Sequence, residues 1–394
     1  MMKRWKAEAL IAALLLPPFA VAALYATGQA IYTSKLWADL GAFGSNSDVL
    51  DKARNQPEVL TSVEDYLKLR VTPTRIETGR AKIAELKTVL ADIEKQYGVP
   101  AETLVAIWGI ESNFGRTMGD YNVPVSLATL SESGYRTDYF REELVAALEI
   151  VRDGHIEKSQ MVGSWAGAMG QTQFMPSSYK AYAVDYDGDG KKDIWNSVPD
   201  SLASTANFLK QKGWQRGSDW GYEVKIPAGF DFAKAWKKDG VTLREWAKMG
   251  ITRIDGKPFP QPNEAARFYL PSGGEGPVFL VLKNFDVIKR YNNADSYALA
   301  VAHLGDRMTG GSEFVAAWPA DVKPLSRAER QELANLIVAQ GFKLGKANGR
   351  MTQNMRLAII RFQKKEGLLA DGHPSQSLLQ RLRSAGSVAS EQKT

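Results

Sequence analysis

The stretch VAIWGIESNFGRTMGDYN, residues 105–122, decides how the chain is interpreted. Its first half is the end of a helix, because Leu104, Ile107 and Trp108 recur at helical spacing and form a core-facing stripe. Glu111 follows Ile107 and Trp108 by four and three residues, so it continues the same face. The pattern therefore predicts a carboxylate on the apolar side of a buried helix.

Two interpretations of Glu111 follow from its position. Burial disfavours the charged form and raises a carboxyl pKa, and the negative pole of a helix C-terminus acts in the same direction. An acid that stays protonated near neutral pH can protonate the leaving group in glycosidic bond cleavage. Alternatively, Glu111 satisfies buried backbone groups or lies at the rim of the helix. The helix, predicted to begin at Pro100 and to stop near Gly115, leaves both open.

Length and composition limit the protein class. The chain has 394 residues, of which 44% are hydrophobic and 24% charged, and this predicts two or three globular domains. The net charge of +6 suits anionic partners, but no nucleic-acid motif accompanies it, so we expect no nucleic-acid partner. The complete absence of cysteine excludes disulfides, thiolate metal sites and cysteine nucleophiles.

The N-terminus has the pattern of an export signal. A basic start, MMKRWK, precedes the apolar run ALIAALLLPPFAVAALYA, and small residues follow. This pattern predicts a signal peptide over residues 1–30. Pro17 and Pro18 interrupt the apolar run and argue against a well-formed spanning helix, although an uncleaved membrane anchor stays open. In both cases we expect the rest of the chain to lie outside the cytoplasm.

Hydrophobic periodicity predicts a mainly α fold of the α+β type with a small β-containing insertion. The helices are predicted over 62–70, 76–97, 138–153, 197–213 and 294–308, the last with Asp295 as its cap, and the β-like runs are 221–226 and 276–282. A Gly/Pro-containing connector at 309–326 leads to a small three-helix domain over 322–385. The tail 386–394 is predicted to be disordered.

A second motif, GSWAGAMGQTQFMPSSY, occupies residues 163–179. Its small residues allow the backbone to approach a ligand or another element closely. Ser164, Gln171, Gln173 and Tyr179 could form hydrogen bonds with sugar hydroxyls and amides. The alternative is a tight packing joint with no ligand.

A third motif, DYDGDGKKDIWNSVPD at 185–200, resembles an EF-hand calcium loop. The matching residues are Asp185, Asp187, Asp189, Gly190 and, through its carbonyl group, Lys191. Asn196 takes the twelfth position, where the common loop has a bidentate Glu. We predict a structural calcium, or another hard cation, with a solvated turn-rich loop as the alternative.

Together, GIESNFG, the Gly/Ala-rich motif with the Asp loop behind it, and RYNNADSYALAV at 290–301 resemble the lytic murein transglycosylases of the membrane-bound lytic transglycosylase B family. The resemblance spans about residues 35–310 and implies a lysozyme-like helical catalytic domain over 31–315. It also implies Glu111 as the single catalytic acid/base and Asp200 as the residue that closes the cation loop. The implied substrate-binding residues are Tyr139, Ser164, Gln173, Tyr291, Asn292 and Tyr297.

The resemblance implies a defined reaction on peptidoglycan. The β-1,4 bond between N-acetylmuramic acid and N-acetylglucosamine would be cleaved and a 1,6-anhydromuramyl end formed, with no cofactor required for the chemistry. Glycan strands would be the main partner, with cell-wall synthesis proteins as further partners. Two alternatives stay open: a muramidase of the same fold, which adds water, and a non-catalytic peptidoglycan-binding scaffold.

The C-terminal region resembles a three-helix peptidoglycan-binding domain. The similarity is carried by NGRMTQNMRLAIIRFQKKEGLLADG, with Phe362-Gln363 as the family's FQ pair. At the first turn this sequence has Asn348-Gly349 where relatives commonly have Asp-Gly and Gly-Pro. A helical dimerisation or docking module is the alternative.

Overall fold

The computed structural model describes residues 45–391 except 56–59, 135, 238–239, 321–322 and 345–348. The predicted signal peptide, residues 1–30, lies outside the described residues. The chain folds as two compact units, whose described parts are 45–55 with 117–201, and 60–116 with 202–391. Across the described ranges, no helix combines the length and the apolar composition needed to cross a membrane.

Helices dominate both units, and the strands are short. In chain order the described helices are α1 (Ser47–Arg54), α2 (Val63–Arg70), α3 (Pro73–Glu85), α4 (Lys87–Tyr97), α5 (Ala101–Ser112), α6 (Val123–Glu132), α7 (Thr137–Arg152), α8 (Pro176–Tyr182), α9 (Val198–Gln211), α10 (Ala233–Lys237), α11 (Leu243–Lys248), α12 (Lys283–Ile288), α13 (Asp295–Met308), α14 (Arg327–Ala339), α15 (Gln353–Lys365) and α16 (Gln376–Glu391). The strands are β1 (Tyr121–Asn122), β2 (Val162–Gly163), β3 (Gly221–Lys225), β4 (Thr252–Arg253), β5 (Arg267–Tyr269) and β6 (Phe279–Val281).

In the first unit, α7 packs against both α6 and α8. The predicted apolar face of α7 is buried through Phe140, Leu144 and Leu148. Glu143 lies on the same helix with 3% of its surface exposed, and its two oxygens accept hydrogen bonds from the backbone N–H and the hydroxyl of Ser177, at 2.8 and 2.7 Å. A buried carboxylate thus holds the start of α8 against α7.

In the second unit, α5 packs between α3 and α13. Its burial follows from its composition, since AETLVAIWGIES carries apolar residues on all sides. The same unit contains an antiparallel sheet in the order β4-β3-β6-β5, which covers a core that includes Trp246, Phe268 and Leu280. The β-like runs of the sequence therefore form the predicted small β insertion.

Two local predictions differ from the structure. The single helix expected over 76–97 is two helices, because Leu86 leaves the helical conformation (φ −99°, ψ 17°) between α3 and α4. Helix α4 buries Leu90 and Ile93. Asp295 is not a cap, since Ala294 holds the N-cap position and the Asp295 carboxylate pairs with Lys289 at 2.8 Å.

The C-terminal helices α14, α15 and α16 bury an apolar cluster of their own. Its fully buried members include Leu333, Ile337, Phe362 and Leu379. Helix α16 is described as far as Glu391, and the disordered tail over 386–394 stays a prediction.

Candidate active site

Glu111 lies in the last turn of α5, just before the helix exit, which is the left-handed segment formed by residues 113–115. The helix ends at Ser112, three residues before the predicted stop, and Asn113, Phe114 and Gly115 all have positive φ angles, of 51°, 60° and 79°. A left-handed conformation costs a non-glycine residue roughly 1–2 kcal/mol. The buried Ser112 hydroxyl stabilises this exit by accepting a hydrogen bond from the N–H of Gly115 at 2.9 Å.

The exit folds an aromatic ring back onto the helix. Phe114 is buried and meets the ring of Trp108 edge to face, with 5.6 Å between ring centroids. Gly109 makes room for this ring, because a Cβ atom there would approach the Phe114 ring to 2.8 Å. Ile107 and Trp108, which precede Glu111 by about one turn, are buried as the sequence predicted.

The carboxyl group of Glu111 accepts a hydrogen bond from the hydroxyl of Tyr297, at 2.6 Å. Tyr297 lies in the first turn of α13 and only 2% of its surface is exposed. Burial raises the pKa of Glu111 from its ordinary value of 4.5 to about 7, although the Tyr297 hydrogen bond and the charge of Arg70 act in the opposite direction. Such a group can both donate and accept a proton near neutral pH.

Tyr66 and Arg70, on α2, also belong to the surroundings of Glu111, and the sequence did not single them out. The guanidinium carbon of Arg70 lies 5.4 Å from the centre of the Tyr66 ring. Burial, the largest cause, and the charge of Glu111 raise the pKa of Tyr66. Their four-residue spacing in SVEDYLKLR was a visible signal of a shared helix face, but it gave no indication of the element that this face meets.

The segment RYNN places two more predicted residues in the same unit as Glu111. Tyr291 is half-buried, and its ring meets that of Phe208 edge to face at 5.0 Å. Asn292 is exposed, and its carbonyl oxygen accepts a hydrogen bond from Ala294 at 2.8 Å. The second unit therefore contains Glu111, Tyr297, Tyr291 and Asn292.

The Gly/Ala-rich motif lies in the first unit and consists of consecutive tight turns. The N–H of Ser164 donates to the carbonyl of Ala168 at 2.7 Å, and the Ser164 hydroxyl accepts from the N–H of Ala168 at 3.0 Å. Gln173 has a positive φ of 56°, and its side-chain amide donates to the carbonyl oxygens of Met118 and Gly170, both at 2.9 Å. These bonds fix the orientation of the Gln173 side chain.

Two residues of this motif have structural roles instead of the ligand contacts that the sequence suggested. Gln171 is buried and donates to the carbonyl oxygen of Trp195 at 3.1 Å. Tyr179 is buried and its hydroxyl donates to the carbonyl oxygen of Lys192 at 2.7 Å. The prediction of sugar contacts is wrong for both, because a buried polar group needs an internal partner and the neighbouring loop supplies one.

Tyr139, on α7, is also in the first unit and is half-buried. Arg136 lies over its ring, with the guanidinium carbon 4.1 Å from the ring centre. Burial, followed by the charge of Glu143, raises the pKa of Tyr139. The Tyr139 hydroxyl therefore stays protonated, and the side chain presents a flat ring face and a hydrogen-bonding hydroxyl group.

The Asp loop brings together three of the predicted cation ligands. Carboxylate oxygens of Asp185, Asp187 and Asp200 lie within 4.8 Å of one another. Asp200 is fully buried and accepts hydrogen bonds from Tyr186 and Asp193. This set of hard oxygen donors fits calcium.

Of the remaining two predicted ligands, Asp189 is placed differently, and the carbonyl group of Lys191 stays a prediction. Asp189 lies outside the carboxylate group, and its side chain accepts a hydrogen bond from the N–H of Lys191 at 2.8 Å. The local bond within the loop turns Asp189 toward its own backbone, as in an Asx-turn.

Comparisons with known proteins identify the family. Residues 25–306 match the family model of the transglycosylase SLT domain, and residues 326–382 match a peptidoglycan binding domain. The first match covers well over half of the chain. The chain therefore belongs to the transglycosylase SLT domain family.

Individual relatives agree with this assignment. The membrane-bound lytic murein transglycosylase B of Escherichia coli K12 is 36% identical over 246 residues, which cover 61% of this chain and 65% of that protein. SltB3 from Pseudomonas aeruginosa, in its crystal structure with NAG-anhNAM-pentapeptide, shares 46% sequence identity with this chain. The two structures superpose with a TM-score of 0.82 over 86% of this chain and 92% of that chain. The Escherichia coli lytic transglycosylase Slt35 in complex with calcium is 32% identical, with a TM-score of 0.59, over 70% of this chain and 87% of that chain. The predicted mainly helical, lysozyme-like fold class is confirmed.

Proposed function

We propose that the protein is a lytic transglycosylase of the periplasm. It cleaves the β-1,4 bond between N-acetylmuramic acid and N-acetylglucosamine in peptidoglycan and leaves a 1,6-anhydromuramyl end. The observation that carries this proposal is Glu111, whose pKa is raised to about 7 and whose carboxyl group is held by Tyr297. SltB3, a relative of this chain, was crystallised with an anhydro-sugar peptide.

The chemistry requires a single group that first donates and then accepts a proton. Protonated Glu111 gives its proton to the glycosidic oxygen as the bond to the muramyl C1 breaks, and the substrate's acetamido oxygen stabilises C1. The Glu111 carboxylate then takes the proton from the muramyl C6 hydroxyl, whose oxygen attacks C1 and closes the anhydro ring. Ordinary glycosidases use two carboxylates; here no water is consumed, so one carboxyl group is sufficient.

The hydroxyl of Tyr297 orients the carboxyl group of Glu111 in both stages. After the first proton transfer it stabilises the carboxylate, because a hydrogen bond to the charged form favours that form. Ser164, Gln173, Tyr139, Tyr291 and Asn292 are the residues that we propose to bind the glycan. Their hydroxyl and amide groups match the donors and acceptors of N-acetylated sugars.

Digestion of purified sacculi tests this function. The protein should release anhydromuropeptides, and Glu111→Gln, which keeps the shape but cannot donate the proton, should release them at least about 10²-fold more slowly. Glu102→Gln is the matched control, since Glu102 lies in the first turn of the same helix. Products heavier by one water would instead identify a muramidase, and full activity of Glu111→Gln would exclude the proposed mechanism.

Export and wall attachment are further parts of the proposal. Residues 1–30 direct the chain to the periplasm and, if uncleaved, tether it to the membrane, where cell-wall synthesis proteins are within reach. Residues 322–385 bind peptidoglycan. The full chain should co-sediment with insoluble sacculi, whereas a chain ending at residue 315 should be retained less, and equal retention of both would contradict the binding role.

We also propose a structural calcium held by Asp185, Asp187 and Asp200. The ion would offset the mutual repulsion of the three carboxylates and stabilise the loop. Calcium should raise the melting temperature and release heat on titration. Asp187→Asn should weaken both effects more than Asp189→Asn, because Asp189 lies outside the carboxylate group.

A further inference from the structure

The turn LADGHP, residues 369–374, connects α15 to α16 and contains a buried carboxylate. Asp371 is 6% exposed, and one of its oxygens accepts hydrogen bonds from the side chain of Gln363 and the N–H of His373, both at 2.8 Å. Its other oxygen accepts from the N–H of Gly274, 97 residues earlier in the chain, also at 2.8 Å. The turn of the C-terminal domain is thus bonded to the loop between β5 and β6.

This contact depends on two glycines. A Cβ atom at Gly274 would lie 2.8 Å from the ring of Phe232 and 3.3 Å from the side chain of Leu369. A Cβ atom at Gly273, where φ is 86°, would lie 2.7 Å from the Asp371 carboxylate. The two segments approach so closely that no other residue fits without displacement.

Helix α10 provides a second part of the same contact. The indole N–H of Trp236 donates to the carbonyl oxygen of Asp371 at 3.0 Å, and the guanidinium carbon of Arg356 lies 4.3 Å from the centre of the Trp236 ring. Ile360 of α15 is buried in the core cluster of the sheet, which also contains Phe232. The contact therefore has an apolar core with satisfied polar groups around it, as stable interfaces do.

The connector that enters the C-terminal domain is held as well. The carboxylate of Glu223, on β3 and 9% exposed, accepts hydrogen bonds from the N–H groups of Val315 and Ala316 at 2.9 and 2.8 Å. The ring of Phe314 stacks on His303 of α13, with 4.0 Å between ring centroids. The Gly/Pro-containing sequence predicted a connector, and the structure fixes it to the sheet and to α13.

We propose that the surface around the LADGHP turn is an intramolecular docking surface whose occupant is the Gly273–Gly274 loop together with Trp236. The C-terminal domain is then a fixed extension of the sheet, because the docking surface and the connector hold it at two places. A flexible tether would instead sample a broad range of positions. The docking surface is also closed to peptidoglycan, so wall binding uses another face of the domain.

Distance measurement in the full chain tests the docking. The chain contains no cysteine, so Lys248→Cys and Gln380→Cys, both at exposed positions, introduce the only two sites for spin labels. We expect one narrow distance distribution by pulsed electron paramagnetic resonance. Gly274→Leu should abolish the narrow peak and give a broad distribution, whereas Ala247→Leu, at an exposed position, should retain it.

Further controls separate undocking from unfolding. Gly274 lies outside the C-terminal domain, so Gly274→Leu should leave the helices of that domain folded. The helical circular dichroism signal of the full chain should therefore be unchanged. Glu223→Gln should loosen the connector and accelerate amide hydrogen exchange at Val315 and Ala316, whose hydrogen bonds to the carboxylate it weakens. A broad distribution in the parent chain, or an unchanged narrow peak in Gly274→Leu, would overturn the docking proposal. Neither readout requires glycan cleavage, so failure of the proposed activity would be distinguished from failure of docking.

Discussion

Glu111 and Glu143 lie on buried helices of the two compact units, and their hydrogen-bond partners differ. Glu143 is 3% exposed and accepts two hydrogen bonds from Ser177, one on each oxygen. Glu111 is partly exposed and, within the described part of the chain, accepts one hydrogen bond, from Tyr297. Two donors bind Glu143 into the fold, whereas Glu111 keeps an oxygen available for a substrate. Hydrogen-bond partners, more than burial, therefore separate a structural carboxylate from a reactive one.

The largest expected effect is on catalysis. Glu111→Gln should lower the release of anhydromuropeptides by at least about 10²–10⁴-fold, the usual contribution of general acid–base catalysis. Glu143→Gln should retain activity per folded molecule but lower the free energy of unfolding by about 1.5–3 kcal/mol, since a Ser177 donor loses its hydrogen bond to a charged acceptor. Turnover and urea denaturation of both variants measure the contrast. If Glu143→Gln were inactive but as stable as the parent chain, Glu143 could not be a purely structural carboxylate.

Stability should respond to pH at Glu111. Its folded pKa, about 7, exceeds the ordinary 4.5. The folded state therefore binds more protons than the unfolded state between these values, and this carboxyl lowers stability as pH rises through that window. Glu111→Gln should raise the free energy of unfolding at pH 8 by up to about 3 kcal/mol and leave it unchanged near pH 4. Equal effects at both pH values would contradict the raised pKa.

Removal of the Tyr297 hydroxyl, which donates to Glu111, should have a smaller effect. Tyr297→Phe deletes the hydroxyl that stabilises the carboxylate, so the pKa of Glu111 should rise further and the pH–activity profile should shift upward by about one pH unit. The carboxylate also becomes harder to form, which should slow turnover. Tyr179→Phe, whose hydroxyl bonds to Lys192 in the other unit, is the control and should leave the profile in place.

The smallest expected effect concerns the helix exit beside Glu111. Asn113→Gly relieves one left-handed non-glycine residue but adds freedom to the unfolded chain, so the gain in unfolding free energy should be about 0.5 kcal/mol. Urea denaturation measures it, with Ser133→Gly at the right-handed end of α6 as a control that should destabilise. A loss of stability in Asn113→Gly would show that the Asn113 side chain holds the exit.

The sequence predicted what local spacing encodes. Glu111 on the buried stripe, the apolar face of α7 and the Asp loop each follow from patterns within about fifteen residues. Tyr66 and Arg70 could not be predicted beside Glu111, because their approach depends on how α2 packs against distant helices. The same holds for Gln171 and Tyr179, whose partners lie in a loop that the motif itself does not contain. The sequence around Asp371 predicts only a turn. Its hydrogen bond with Gly274 could not be predicted, because the two residues are 97 positions apart in the chain.

Helix α13 has a mechanical consequence. It carries Tyr297 in its first turn and His303, on which the Phe314 ring of the connector stacks, two turns later. Six residues of helix span about 9 Å, and this segment resists extension because stretching it would lengthen each of its backbone hydrogen bonds. If the C-terminal domain binds the wall as proposed, a pulling force on that domain would reach α13 through Phe314 and His303, and α13 also carries the hydroxyl partner of Glu111.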